Sequence, residues 1–188
     1  MSDLPIYLRN QPPPHEVFDH KGFLMFMAKW IKPNVYVEYG IRDCHVIKDM
    51  VPLCKKCIGV DIDKPNNVDR LGFDFYHMKT GEFKNILVEK DIKIDMAFID
   101  ADHCHESSLK DFDDLFPHVV DDGFIFLHDT YPINNFYLDY TKCGDSYKTA
   151  WYIRKNYGDK CEIITLPFQP GLSIVRKSNR QLLWLDFK

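Results

Sequence analysis

Asp95-Met96-Ala97-Phe98-Ile99-Asp100-Ala101-Asp102-His103 is the stretch on which the fold turns. An apolar run this short, followed at once by carboxylates and a histidine, reads as a buried strand ending at a polar edge. The same grammar recurs on both sides. Upstream, Val35-Tyr36-Val37-Glu38 runs to Gly40, Cys57-Ile58-Gly59-Val60 ends at Asp61, and Phe73 to His77 forms a third run. Downstream, Gly123-Phe124-Ile125-Phe126-Leu127 ends at His128-Asp129.

Helical segments fill the intervals. Apolar residues recur at helical spacing from His15 to Ile31, with Pro33 as the stop. Further helices are expected over Arg42 to Val51, Thr80 to Glu89, Ser107 to Val119 and Tyr147 to Asn156. Strands alternating with helices predict an α/β fold with a doubly wound, mainly parallel sheet. Glu162 to Leu166 and Leu172 to Val175 are separated only by Pro167 to Gly171. That link is too short for a parallel crossover, so the chain is expected to close with an antiparallel strand. The reading is one domain over 1–188: an extended arm at 1–14, a helix at 15–32, a core at 33–176 and a tail at 177–188. Asp111, Asp113 and Asp114 read as the solvated face of a helix, and Asp121-Asp122 as the turn before the fifth strand.

At 188 residues, with 45% hydrophobic and 28% charged, the chain can bury one good core. A net charge of −4 speaks against a nucleic-acid partner, which would need clustered Lys and Arg. No apolar stretch is long enough for a bilayer, so no membrane partner is expected. The start, Met1-Ser2-Asp3-Leu4-Pro5, lacks a basic region followed by an apolar run, so a cytoplasmic protein is expected. The six cysteines then read as thiols. Cys54-Lys55-Lys56-Cys57 has no second C-x-x-C to complete a zinc site, and reads as two thiols at a helix–strand junction.

In an open parallel sheet, ligands bind beyond the carboxyl ends of the strands. Glu38, Asp61, Asp100 and Asp129 stand at four such ends. Each could cap the next helix. All four together make a crowd of like charge that calls for a cationic or hydrogen-bonding ligand. The turn Glu38-Tyr39-Gly40 lacks G-x-G-x-x-G, which counts against a nicotinamide-dependent oxidoreductase. An acid-x-Gly turn suits an ammonium group, and Asp61 suits ribose hydroxyls. Together they point to an adenosine with a cationic amino-acid tail.

Val37-Glu38-Tyr39-Gly40, Gly59-Val60-Asp61-Ile62-Asp63, Phe98-Ile99-Asp100-Ala101-Asp102-His103 and Gly123 through Asp129 resemble the class I S-adenosylmethionine-dependent methyltransferases. The resemblance is to a branch of small, metal-associated O-methyltransferases with "FIDGDH" and "HD" segments, and it covers Val35 to Val175. It implies a Rossmann-like methyltransferase sheet. Glu38 and Gly40 would contact the methionine part of S-adenosylmethionine, Asp61 the ribose, and Ile62 the adenine. Lys79 and Thr80 would flank the adenine ring, and Asp100 would face the methyl group. Asp100 and Asp129, with Thr130 beside them, would bind Mg²⁺ or another divalent cation. The chain departs from the family at Cys44, where glycine is usual, and at Thr130, where metal-using relatives often carry Asn or Asp.

A hydroxyl is a poor nucleophile until a base or metal takes or shares its proton. His103 or Asp102 is the expected base, with His128 as a metal-free alternative. His105 ranks below these, and His15, His20, His45, His77 and His118 are read as structural. The loop from Tyr131 to Tyr147, with Phe136, Tyr137, Tyr140, Asn134 and Asn135, would wall the acceptor site. Aromatic faces and amides suit a sugar ring or a phenol. The expected partner is therefore a small-molecule or sugar acceptor, with a homodimer as a further possibility. The competing class is a non-catalytic S-adenosylmethionine-binding protein with a decayed site.

Overall fold

The computed structural model describes residues 19–66, 68–167 and 170–178. The arm at 1–14, the helix start at 15–18 and residues 179–188 of the tail lie outside them. The described chain forms a seven-stranded sheet in the order β3-β2-β1-β4-β5-β7-β6. Its strands are β1 (Val35–Tyr39), β2 (Lys56–Asp61), β3 (Asp74–His77), β4 (Ile94–Ile99), β5 (Val119–His128), β6 (Cys161–Leu166) and β7 (Leu172–Lys177). β1 to β5 pair in parallel, and β7 runs antiparallel between β5 and β6. Both the parallel body and the antiparallel close agree with the sequence reading.

Alternation along the strands divides the core. Val37, Tyr39, Ala97, Ile99, Ile125 and Leu127 pack on one face against α3 (Thr80–Glu89), α4 (His105–Leu115) and α5 (Tyr147–Asn156). Tyr36, Met96, Phe98 and Phe126 point to the other face, covered by α1 (His20–Ile31) and α2 (Ile47–Met50). Leu24, Met27 and Ala28 are the buried stripe of α1. Asp19 caps that helix by accepting from the Gly22 amide at 2.8 Å, and the chain leaves it through Lys32 in a left-handed conformation, ahead of Pro33.

Three local expectations are corrected. The helix expected from Arg42 begins only at Ile47, because Arg42 (φ 45) and Cys44 (φ 61) are left-handed and break helical continuity. Pro52 then tightens the end into a 3₁₀ turn over Val51–Leu53. Asp121-Asp122 is not a turn before β5 but an irregular stretch inside it. The pairing with β4 slips between Ile94 and Met96, and Asp122 takes φ 64. Arg176 of β7 bonds Asp122 there and Glu162 of β6.

The third correction concerns the aspartates of α4. Only Asp113 faces water, and it accepts from the Tyr157 hydroxyl. Asp111 and Asp114 are 3% and 6% exposed. Asp114 is held by Lys84 of α3 and Lys110 of α4. The helix is packed on both flanks, so residues that look peripheral in one dimension are enclosed by α3 and the sheet.

Candidate active site

The strand order reverses between β1 and β4, where a doubly wound sheet opens its crevice. Gly40 brings the two sides together. Its φ is +80, and a Cβ there would lie 2.2 Å from the Asp100 carbonyl oxygen. The Gly40 amide donates to Val60 and the Asp100 amide to Tyr39, both at 2.9 Å. Only a glycine permits backbone this close in this conformation.

Glu38 lies under this turn, 2% exposed. It accepts from the Tyr36 hydroxyl at 2.6 Å and from the Ile47 amide. Burial pushes its carboxyl up, the Tyr36 bond pulls it back, and neighbouring Asp100 adds to the rise, which reaches about 8. Asp61, at the end of β2, accepts from the amides of Arg42 (2.8 Å) and Asp63 (2.9 Å). It thereby ties the strained turn to its own strand end. Ile62 is 62% exposed beside it, an apolar side chain held out at the rim. Lys79 stands at the N-cap position of α3 with its side chain exposed and no capping bond, whereas the Thr80 hydroxyl is directed to Asp111.

At the ends of β4 and β5, imidazoles and carboxylates interleave. His103 Nε2 lies 3.1 Å from Asp129 Oδ2. His128 Nδ1 lies 3.0 Å from Asp100 Oδ1 and 3.3 Å from Asp129 Oδ2. The Cys143 thiol also bonds Asp129, and burial with that carboxylate raises it to about 12. Burial works against charge on His128, but Asp100 and Asp129 outweigh it and lift its pKa to about 10. The protonated ring donates from both nitrogens. The acceptor at Nε2 is His20 Nδ1, 3.2 Å away. Burial, and then the charge on His128, hold His20 down at about 4, so it stays neutral and can accept.

Of the residues singled out by sequence, Asp100, Asp129, His103 and His128 are brought together. Asp102 is exposed and accepts from the Cys104 amide at 3.1 Å. The Thr130 hydroxyl is directed to the Leu127 carbonyl and accepts from Ser173, on the β7 side. His105 is engaged with Thr149. His20, read as structural, is the site residue that sequence reasoning missed. His128 shares strand parity with Phe126, which points to the α1 face, but nothing in the sequence brings the first turn of α1 to that spot.

The loop after Asp129 closes against this cluster. His103 Nδ1 lies 2.9 Å from the Tyr140 carbonyl, and the His103 carbonyl accepts from the Asp145 amide at 3.1 Å. Gly144, at φ +52, allows the approach, since a Cβ there would lie 2.2 Å from the His103 carbonyl oxygen. Tyr131, Phe136 and Tyr140 remain exposed on the loop. The Asn134 side chain accepts from the Phe136 amide and so shapes the loop.

The model of a family described as "methyltransferase domain" matches residues 25–130, a range that holds Gly40, Asp61, Asp100, His103, His128 and Asp129. No curated protein matches the chain by sequence. Solved structures share the fold. A candidate caffeoyl-CoA O-methyltransferase from Staphylococcus aureus is 13% identical with a TM-score of 0.67, covering 84% of this chain and 82% of its own. The MycE methyltransferase of the mycinamycin pathway, solved with Mg and S-adenosylhomocysteine (SAH), is 14% identical with a TM-score of 0.64; the match covers 89% of this chain and 52% of MycE. CalS11, a TDP-rhamnose 3′-O-methyltransferase of calicheamicin biosynthesis, is 16% identical with a TM-score of 0.59, covering 90% and 89%.

Proposed function

The chain belongs to the methyltransferase-domain family, and on that premise we propose that it transfers a methyl group from S-adenosylmethionine to a hydroxyl of a small-molecule or sugar acceptor, assisted by a divalent cation. The observation that carries the reading is the convergence of Gly40, Asp61, Asp100 and Asp129 on one sheet edge, with Gly40 and Asp100 in backbone contact.

S-adenosylmethionine supplies an electrophilic methyl on sulfur. Gly40 leaves room for its amino-acid tail, and Glu38 braces that turn from beneath through Tyr36 and Ile47. Asp61 keeps lone pairs for ribose hydroxyls beyond its two amide bonds. Ile62 offers an apolar surface to the adenine, and Lys79 and Thr80 are the residues that would flank the ring. Asp100 stands nearest the reacting centre.

The residues present fit a cation. Asp100, His103 and Asp129 each offer a ligand atom, and these lie within 4.8 Å of one another. A divalent ion held there would supply Lewis acidity that lowers the pKa of an acceptor hydroxyl. Of the three base candidates, His128 has both nitrogens engaged, and Asp102 is turned to its own loop. His103 Nε2 is the group facing the carboxylates. The exposed aromatics of the 131–147 loop suit a sugar or phenol ring. CalS11, a TDP-rhamnose 3′-O-methyltransferase that shares the fold, lends support to a sugar acceptor.

Calorimetry with SAH, followed by label transfer from S-adenosylmethionine to a panel of sugar nucleotides and phenols, tests the reading. Micromolar binding that is lost in Asp61→Ala is expected. Absence of any binding by the wild-type chain overturns the proposal.

A further inference from the structure

His103 is placed so that the role of each ring nitrogen is fixed. A carbonyl oxygen can only accept, so the 2.9 Å contact with Tyr140 puts the proton on Nδ1. In the neutral ring Nε2 then carries a lone pair, and it lies 3.1 Å from Asp129 Oδ2. A lone pair and a carboxylate oxygen at that separation repel. The arrangement becomes attractive only when a cation sits at Nε2, either a proton or a metal ion. Asp100 brings a third donor atom to the same spot.

The ligand atoms are also braced from behind, as metal ligands need to be. The loop holds His103 at its ring through Tyr140 and at its backbone through Asp145, whose carboxylate also accepts from the His105 amide at 2.6 Å. His128 holds one oxygen each of Asp100 and Asp129.

We propose that His103 Nε2 ligates the cation together with Asp100 and Asp129, and that this imidazole makes the site prefer a first-row transition-metal dication such as Mn²⁺ over Mg²⁺. The inference rests on the proposal that the Asp100 and Asp129 pair holds a divalent ion, and it changes the expected role of His103 from base to ligand. Mg²⁺ is hard and favours an all-oxygen shell with several waters, whereas imidazole nitrogen suits transition metals. With the Nδ1 proton donated to Tyr140, Nε2 is the nitrogen left to face a metal, as ligating histidines require.

The test uses the full chain with Mn²⁺ and Mg²⁺ alone. Wild-type protein is expected to bind Mn²⁺ at least about tenfold more tightly than Mg²⁺ in competition calorimetry. Its bound Mn²⁺ should show electron spin-echo modulation from a directly coordinated nitrogen-14. His103→Gln should lose the modulation and most of the Mn²⁺ preference. Because His128 has both nitrogens engaged, loss in that variant assigns the signal to His103. The wild-type spectrum needs no variant, so a poorly folded His103→Gln does not spoil the test. Bound Mn²⁺ without nitrogen coupling, or an unchanged preference in a folded His103→Gln, overturns the proposal and returns His103 to the role of base. Absence of any dication binding overturns it too. SAH affinity, measured in chelator, shows separately whether the methyltransferase reading stands.

Discussion

His20, in the first turn of α1, accepts a hydrogen bond from His128 at the end of β5, with 3.2 Å between Nδ1 and Nε2. The rings tilt against each other with centroids 4.2 Å apart, and His20 also stacks on Phe98. The helix that covers one face of the sheet therefore begins with a residue that orients the site. Removing the acceptor leaves the His128 Nε2 proton buried and unpaired, and frees the ring that holds Asp100 and Asp129. His20→Ala is expected to lower kcat about tenfold while leaving the KM for S-adenosylmethionine near its wild-type value. His20→Gln, whose amide oxygen can accept, should recover part of the loss, and His20→Phe should not. Equal activity in the Phe and Gln variants would mean that the ring serves packing alone.

Gly40 cannot carry a side chain. A left-handed conformation costs an L-residue about 1–2 kcal/mol, and a Cβ would also press on the Asp100 backbone. Gly40→Ala should lower the melting temperature by several degrees and abolish SAH binding. An unchanged melting curve would contradict the close approach of β1 and β4.

Glu38 gives stability a pH signature. With a folded pKa near 8 against an ordinary 4.5, it keeps a proton that the unfolded chain releases. The folded state binds more protons in that window, so this residue makes stability fall as pH rises through it. The slope is at most about 1.4 kcal/mol per pH unit. Glu38→Gln cannot titrate, so its stability relative to wild type should grow steadily from pH 5 to pH 8 in urea titrations. Parallel pH profiles for the two proteins would show that Glu38 is charged in the folded state.

The two buried aspartates of α4 should behave differently. Asp114 joins α3 to α4 through Lys84 and Lys110. Asp114→Ala should cost about 1–2 kcal/mol, read from the denaturant midpoint. Asp111 has one oxygen without a hydrogen-bond partner, and burial raises its pKa to about 6. Asp111→Asn keeps the shape without the charge, so at pH 8 it should be neutral or slightly stabilising. A larger loss than that of Asp114→Ala would reverse this ranking.

The alternation of short apolar runs with helical segments was enough for the doubly wound sheet, and the brevity of 167–171 for its antiparallel close. These rest on backbone periodicity and reach, which are local properties of the chain. The acids at the strand ends were legible for the same reason, since a parallel sheet puts all its carboxyl ends on one edge. The left-handed turn at Arg42 and Cys44 showed in the sequence only as a cysteine where the family usually has glycine, because neither residue favours that conformation by itself. It is imposed by the bonds that Gly40 and Asp61 make between the ends of β1 and β2. Nor could sequence place His20 beside His128, bury Asp111 and Asp114, or fix the His103 tautomer through Tyr140. Those contacts join segments far apart in the chain, and only packing of helices and loops onto the sheet decides which of them meet.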